Sequence, residues 1–353
     1  MKKIHVRGKF TLTCLATALC FCSISAVTHA NQGKAAIHLK FSEDRNFKIV
    51  QFTDTQDDED IDPRTVALIE SVLDAESPDL VVFTGDNITG GCDTPDDVRI
   101  AIDNIVRQVE ERRIPWLITF GNHDEDHTAK TGLDEEDMLG IYMSYPHNIN
   151  QEDPDEVEGT GNMHALIKSS TGNKPVFNIW ALDSGRYAPE SIAGQSLDGY
   201  PHWDWIKPSQ ISWYKQTSEK LEQRMQAKIP SLMFFHIPLW EFDTMREMRD
   251  RHEVVGEKNE SVCPGPFNSG LYTAMLERGD VRGVFVGHDH VNDYVGNYYG
   301  IYLGYAANTG FGTYGLDGDD TDRLRGARVF ELDEADPAHF TTRMVYALDL
   351  GIQ

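Results

Sequence analysis

The 353-residue chain is poor in cysteine and in cations. Three of its five cysteines, Cys14, Cys20 and Cys22, fall in the first thirty residues, which leaves Cys92 and Cys263. Two thiols cannot make a disulfide-dense scaffold. They could pair with each other in an oxidising compartment or stand as unrelated buried thiols, and both readings stay open. Lys and Arg number 32 against 57 Asp and Glu, for a formal charge of −25. No basic stripe interrupts this surface, which excludes nucleic acid and anionic lipid as partners. It also means that a phosphate-bearing substrate needs a local cation that composition does not supply. Beyond residue 30 there is no apolar run long enough to span a bilayer, no repeat of solenoid length and no low-complexity tract apart from acidic patches.

The first thirty residues differ from the rest. "MKKIHVRGK" is basic, "FTLTCLATALCFCSISAV" is apolar, and "VTHA" places small residues before Asn31. This is the layout of a secretory signal peptide over residues 1–30, with an uncleaved anchor as the alternative. The expectation is an exported protein, periplasmic or secreted, with no stable membrane insertion after processing. Cleavage would remove Lys2, Lys3, Arg7 and Lys9 and no acid, taking the charge from −25 to −29. Residues 31–353 show no linker and read as one domain.

From residue 46 the pattern alternates strand and helix. "FKIVQFT" reads as a strand, and "DPRTVALIESVLDAE" as a helix with Asp62 as N-cap and Pro63 in its first turn. "DLVVFTG", a helix capped by Thr94 over "TPDDVRIAIDNIVRQVEERR", and "PWLITF" repeat the unit. Short, continuously apolar strands between amphipathic helices indicate an α/β sheet buried on both faces. A helix over 134–145, a strand pair around "TGNKP", a helix over 209–226, the strand "SLMFFH", a helix in "NSGLYTAMLERG" and a strand "VRGVFVG" follow. "IYLGYAA", "ARVFELD" and "FTTRMVYAL" make a β-rich end.

Five strand ends carry chemistry. "IVQFT" ends in Asp54, "LVVFTG" in Asp86, "WLITFG" in Asn122, His123 and Asp124, "SLMFF" in His236, and "VFVG" in His288, Asp289 and His290. Ligands of open α/β sheets gather beyond the carboxyl ends of the strands. These residues on one rim would form a nitrogen- and oxygen-rich cluster suited to first-row divalent metals or iron. One Asp after a strand is usually a turn residue or a cap; five such ends in this order are hard to attribute to chance.

Asp54, "GDN" (85–87), "GNHD" (121–124), His236 and "GHDH" (287–290) resemble the motif series of the calcineurin-like metallophosphoesterases, over about residues 46–348. "NSGLY" before the last motif and "HVNDY" after it resemble the purple-acid-phosphatase-like branch. The resemblance implies a four-layer α/β/β/α sandwich, two packed mixed sheets flanked by helices, with two divalent or trivalent metal ions (iron, manganese or zinc) at the strand ends. It implies Asp54, Asp86 and His290 around one ion, and Asp86, Asn122, His236 and His288 around the other, with Asp86 bridging. A hydroxide between the ions would attack phosphorus, His123 would protonate the leaving oxygen, and Asp124 would orient the His123 ring.

The chain departs from the family in its first motif, commonly Asp-x-His, where it has Asp54-Thr55-Gln56. Purple acid phosphatases place a Tyr three residues after the Asp, and here that residue is Asp57. Gln56 or Asp57 could complete the first metal site, or the site could be loose; Gln56 or water is the favoured reading. The expected activity is hydrolysis of small phosphomonoesters. A phosphodiesterase or nucleotide pyrophosphatase is one alternative, and a catalytically weak phosphate- or metal-binding protein the other. Weaker marks remain. "GFGTYG" (310–315) lacks the helix a dinucleotide site needs and reads as a rim loop with Tyr314 near substrate. "DGDDTD" (317–322) lacks the sixth-place Gly and closing Glu of a calcium loop. "YPHWDW" (200–205) and Trp240 could line a pocket, though packing over the sheet is the simpler use.

Overall fold

The computed structural model describes residues 37–353. The signal-peptide reading of residues 1–30 lies outside the described residues. Strand β1 (Asn46–Phe52) leads to α1 (Pro63–Glu76), β2 (Leu80–Thr84), α2 (Pro95–Glu111) and β3 (Trp116–Thr119). The helix starts are those expected. Asp62 accepts the Arg64 N–H ahead of Pro63, and Thr94 and Asp97 close a reciprocal capping box. Two shorter helices, α3 (Thr128–Thr131) and α4 (Glu135–Ser144), precede the hairpin of β4 (Met163–Lys168) and β5 (Pro175–Ala181). A small ribbon, β6 (Ser191–Ile192) with β7 (Gln195–Ser196), leads to α5 (Pro208–Met225) and β8 (Ser231–Phe234). Then come α6 (Trp240–Glu247), α7 (Leu271–Arg278), β9 (Val281–Val286), β10 (Val295–Tyr298), β11 (Ile301–Tyr305), β12 (Gly326–Asp333) and β13 (Phe340–Tyr346).

The strands form two large mixed sheets, ordered β13-β12-β1-β2-β3 and β10-β11-β9-β8-β5-β4. β1, β2 and β3 are parallel, as are β5, β8, β9 and β11. Strand alternation sorts their side chains into three cores. Val50, Phe52, Val81 and Phe83 pack under α1 and α2 with Leu68, Val72, Ile102 and Val106. Ile49, Leu80 and Val82 face the other way and meet Phe177, Ile179, Leu232 and Phe234 of the second sheet. The outer face of that sheet, with Trp180, Met233 and Val284, packs on Tyr214, Phe242, Leu271 and Met275 of α5, α6 and α7. The layers are therefore helix, sheet, sheet, helix. Phe330 of β12 sits between the sheets, 4.4 Å from the Phe285 ring and 5.5 Å from that of Phe234. Toward the site end, Gln51 of β1 spans the sheets, donating from Nε2 to Val286 O at 3.2 Å. Among the described residues no helix is long and apolar enough to cross a membrane.

Candidate metal centre

Each expected ligand stands just past a strand, where the chain turns off the sheet. Asp54 follows β1, Asp86 follows β2, Asn122 follows β3, His236 follows β8, and His288 and His290 follow β9. The structure brings them together. Ligand atoms of Asp86, His236 and His288 lie within 4.8 Å of one another, as do those of Asp54, Asp86 and His290. Asp86 belongs to both groups. His236 Nε2 is 3.2 Å from Asp86 Oδ2 and 3.9 Å from Asp54 Oδ1, and His290 Nε2 is 3.3 Å from Asp54 Oδ1. All five side chains are buried.

A test of fit to metal comes from atoms without partners. His236 Nε2, His288 Nε2, Asn122 Oδ1 and Gln56 Oε1 are buried and make no hydrogen bond. Leaving a buried polar atom unsatisfied costs about 1–3 kcal/mol. Four such atoms on residues that flank the same two carboxylates are hard to explain as packing. Two carboxylates, three imidazoles and amide oxygens make a donor set for first-row divalent cations or iron, so the residues present fit a dinuclear centre.

The surroundings orient these donors. His236 Nδ1 sits 2.8 Å from Thr84 O, which takes its proton and turns Nε2 toward Asp86. The Asp54 carboxylate accepts from Thr53 Oγ1 at 2.8 Å and from the His288 N–H at 3.1 Å. Asp86 Oδ1 accepts the His123 N–H at 2.7 Å. Trp203 packs edge-on to the His288 ring at 4.5 Å, and the Tyr314 ring stacks on His290 at 4.0 Å. Burial opposes ionisation of Asp54 and Asp86, yet the adjacent histidines hold both below the usual carboxylate range. Burial also opposes a charged His236, but Asp86 and Asp54 push it up to about 10. His288 goes the other way, driven well below its usual value by burial and by His236.

One expectation is corrected. Asp124 does not touch the His123 ring. It is fully buried and accepts the N–H groups of Asn87 at 2.9 Å, Ile88 at 3.1 Å and Gly121 at 2.8 Å, locking the second and third motif loops together. The carboxylate on His123 Nδ1 is Asp126, at 2.6 Å. Cys92 and Cys263 are both free thiols, the first buried in the core beneath α2 and the second near Asp289. Of the two readings left open, the structure shows unrelated thiols. Asp57 is occupied elsewhere, accepting the Asp62 N–H and the Thr65 hydroxyl at the start of α1, which leaves Gln56 as the candidate for the first site.

Sequence reasoning missed Asp126 and Arg186. Arg186 donates from Nε to Asn122 O at 3.1 Å, from Nη1 to Glu125 at 2.9 Å and from Nη2 to Asp126 at 2.8 Å. It grips the loop that carries both a ligand candidate and His123. Nothing in the local pattern around Arg186 marks it, whereas Asp126 stands three residues from His123 in an acidic run. For "YPHWDW" the simpler reading, packing over the sheet, misses that Trp203 stands edge-on to His288.

Residues 47–292 match the model of the calcineurin-like phosphoesterase family. The chain is 33% identical over 335 residues to a protein named probable inactive purple acid phosphatase 14 of Arabidopsis thaliana, covering 86% of this chain and 78% of that one. It is also 33% identical over 244 residues to phosphatase DCR2 of Saccharomyces cerevisiae, covering 66% of this chain and 39% of that protein. A solved dimetal phosphatase from Danio rerio shares the fold at a TM-score of 0.51 and 12% identity, covering 84% of this chain and 98% of that one. On the match of that model and the identity to these relatives, the chain belongs to the calcineurin-like phosphoesterase family.

Proposed function

We propose that this protein is an exported, metal-dependent phosphoesterase acting on small phosphomonoesters. The observation that carries the reading is the set of buried, unpartnered donor atoms of His236, His288, Asn122 and Gln56 around Asp54 and Asp86. Asp54, Asp86 and His290 would hold one ion, with Gln56 Oε1 completing that shell, and Asp86, Asn122, His236 and His288 would hold the other. When bound, two cations supply Lewis acidity and activate water for attack on phosphorus. Asp86, which belongs to both groups, would serve both ions, one carboxylate offsetting their mutual repulsion. His123 keeps its Nδ1 proton on Asp126 and presents Nε2, through which a proton passes to the leaving oxygen. Trp203 covers His288 and excludes water from that side.

A second reading has specific support. Gln56 stands where the family commonly has a stronger imidazole ligand, and relatives at 33% and 29% identity carry the word inactive in their names. The deciding experiment measures metal content of the purified protein and turnover of a monoester and a diester of one chromogenic alcohol. Preference for the monoester is expected. Preference for the diester overturns the substrate class, and no turnover with manganese, zinc, iron or cobalt bound favours a binding protein.

A further inference from the structure

Beside the metal centre lies a cavity of about 390 Å³, within the size range of small-molecule sites. Its walls carry Glu135, Glu158, Asp183 and Asp204 against two cations, Arg186 and Lys207. Both cations are already engaged. Lys207 pairs with Asp204 and lies 3.6 Å over the Trp205 ring, and Arg186 is spent on Glu125 and Asp126. The acids are less complete. Asp183 accepts the N–H groups of Thr160 and Gly185, and Glu158 accepts the Ser209 hydroxyl. Glu135 keeps Oε1 buried and without any partner. Its carboxyl is pushed well above the usual range by burial and by Asp183 and Glu125, a repulsion that an arriving cation would relieve.

The cavity is tied to the proton donor. Arg186 and Tyr187 line it, and both reach Asp126 Oδ1, at 2.8 and 3.4 Å, while Asp126 Oδ2 holds His123. The cavity also borders the metal centre: Arg186 donates to Asn122 O at 3.1 Å, and the Tyr187 ring lies 5.7 Å from Trp203, whose edge meets His288. We infer that the cavity receives the alcohol part of the phosphomonoester, and that Glu135 selects alcohols bearing an ammonium group, amino sugars or amino alcohols, over neutral or anionic ones. This rests on the phosphoesterase reading above.

The test compares glucosamine 6-phosphate with glucose 6-phosphate, which differ by an ammonium in place of one hydroxyl. Calorimetric affinities are measured on metal-loaded His123→Ala protein, so that neither ester is consumed. The amino ester is expected to bind about tenfold tighter, the worth of one charge-assisted hydrogen bond. Adding Glu135→Gln should bring the ratio close to one. Equal affinities, or no binding of either ester, overturn the inference, and this comparison stands even if the Glu135→Gln protein does not fold. Failure of the unmodified enzyme on every chromogenic monoester would instead reject the phosphoesterase reading and leave the affinity ratio to decide the cavity.

Discussion

Replacing Asp126 by Asn separates an oriented proton donor from a spectator loop. Asp126 accepts from both sides, from His123 Nδ1 at 2.6 Å and from Arg186 Nη2 at 2.8 Å. An amide of the same shape has one acceptor. If its oxygen faces His123, its NH₂ meets the guanidinium donor to donor; turned round, it opposes the ring nitrogen. Either way one charge-assisted hydrogen bond is lost, about 1.5–3 kcal/mol, or roughly ten- to hundredfold in rate if the whole of it falls on the transition state. Asp126 is 30% exposed on its side chain and Arg186 retains Glu125, so the lower half of that range is expected. The ceiling is the whole general-acid effect, about 10²–10⁴. The assay pairs an alkyl phosphate with a nitrophenyl phosphate. An alkoxide must be protonated to leave and a nitrophenolate need not be, so kcat should fall about tenfold or more for the alkyl ester and little for the nitrophenyl ester. Metal content and KM should hold. An equal fall on both esters, or loss of metal, would refute the assignment of Asp126 to His123.

Two further outcomes test the metal shell. Gln56→His replaces an amide oxygen by imidazole and should tighten zinc retention at the Asp54 site by about tenfold or more in chelator competition; no change would remove Gln56 from the shell. Metal uptake should also release protons. Without metal, His236 is pushed to about 10 by Asp86 and Asp54 against its burial, so its ring is protonated through the neutral range. A cation can take Nε2 only as that proton leaves, and affinity must rise with pH until about 10. Calorimetry in two buffers of different ionisation heat, at pH 7, reads the proton count; a count of zero would contradict the pairing.

The parts legible in the sequence were those where a short segment states its own role. Alternating α1, β2, α2 and β3 announced themselves through caps and apolar runs, and the five strand ends named their donors in place. What stayed hidden depended on segments meeting across the fold. Asp124 and Asp126 are equally acidic neighbours of His123, and only the folded loop shows that the first turns inward to three backbone N–H groups while the second turns to the ring. Arg186 comes from the irregular stretch after β5, about sixty residues beyond the loop it holds. The acidic cavity draws Glu135 from α4 and Asp204 and Lys207 from the segment before α5, so no spacing in the chain could display it.

The strand-end motifs were readable for a physical reason that the backbone makes plain. Asp54, Gln56, Asp86 and His288 all have left-handed φ angles, of 49°, 42°, 48° and 74°. Such a conformation costs a non-glycine residue about 1 kcal/mol or more, and here four fall on one rim. The turn breaks the ladder just past each strand, so a side chain that would have continued into a sheet face swings to the rim instead. Neighbouring loops hold the strain, with the Asp54 N–H on Gly85 O at 3.1 Å and the Gln56 N–H on Asp86 O at 2.9 Å. The adjacent glycines are needed for approach: a Cβ at Gly121 would stand 2.4 Å from Asp86 N, and one at Gly287 would stand 2.5 Å from Asp54 Oδ2. Motif glycine and ligand are thus one device, the first admitting the neighbouring loop and the second turned by it. The donor geometry is set by backbone rather than by a cation arriving later, which is the preorganisation a site needs if its charge is to act without rearrangement.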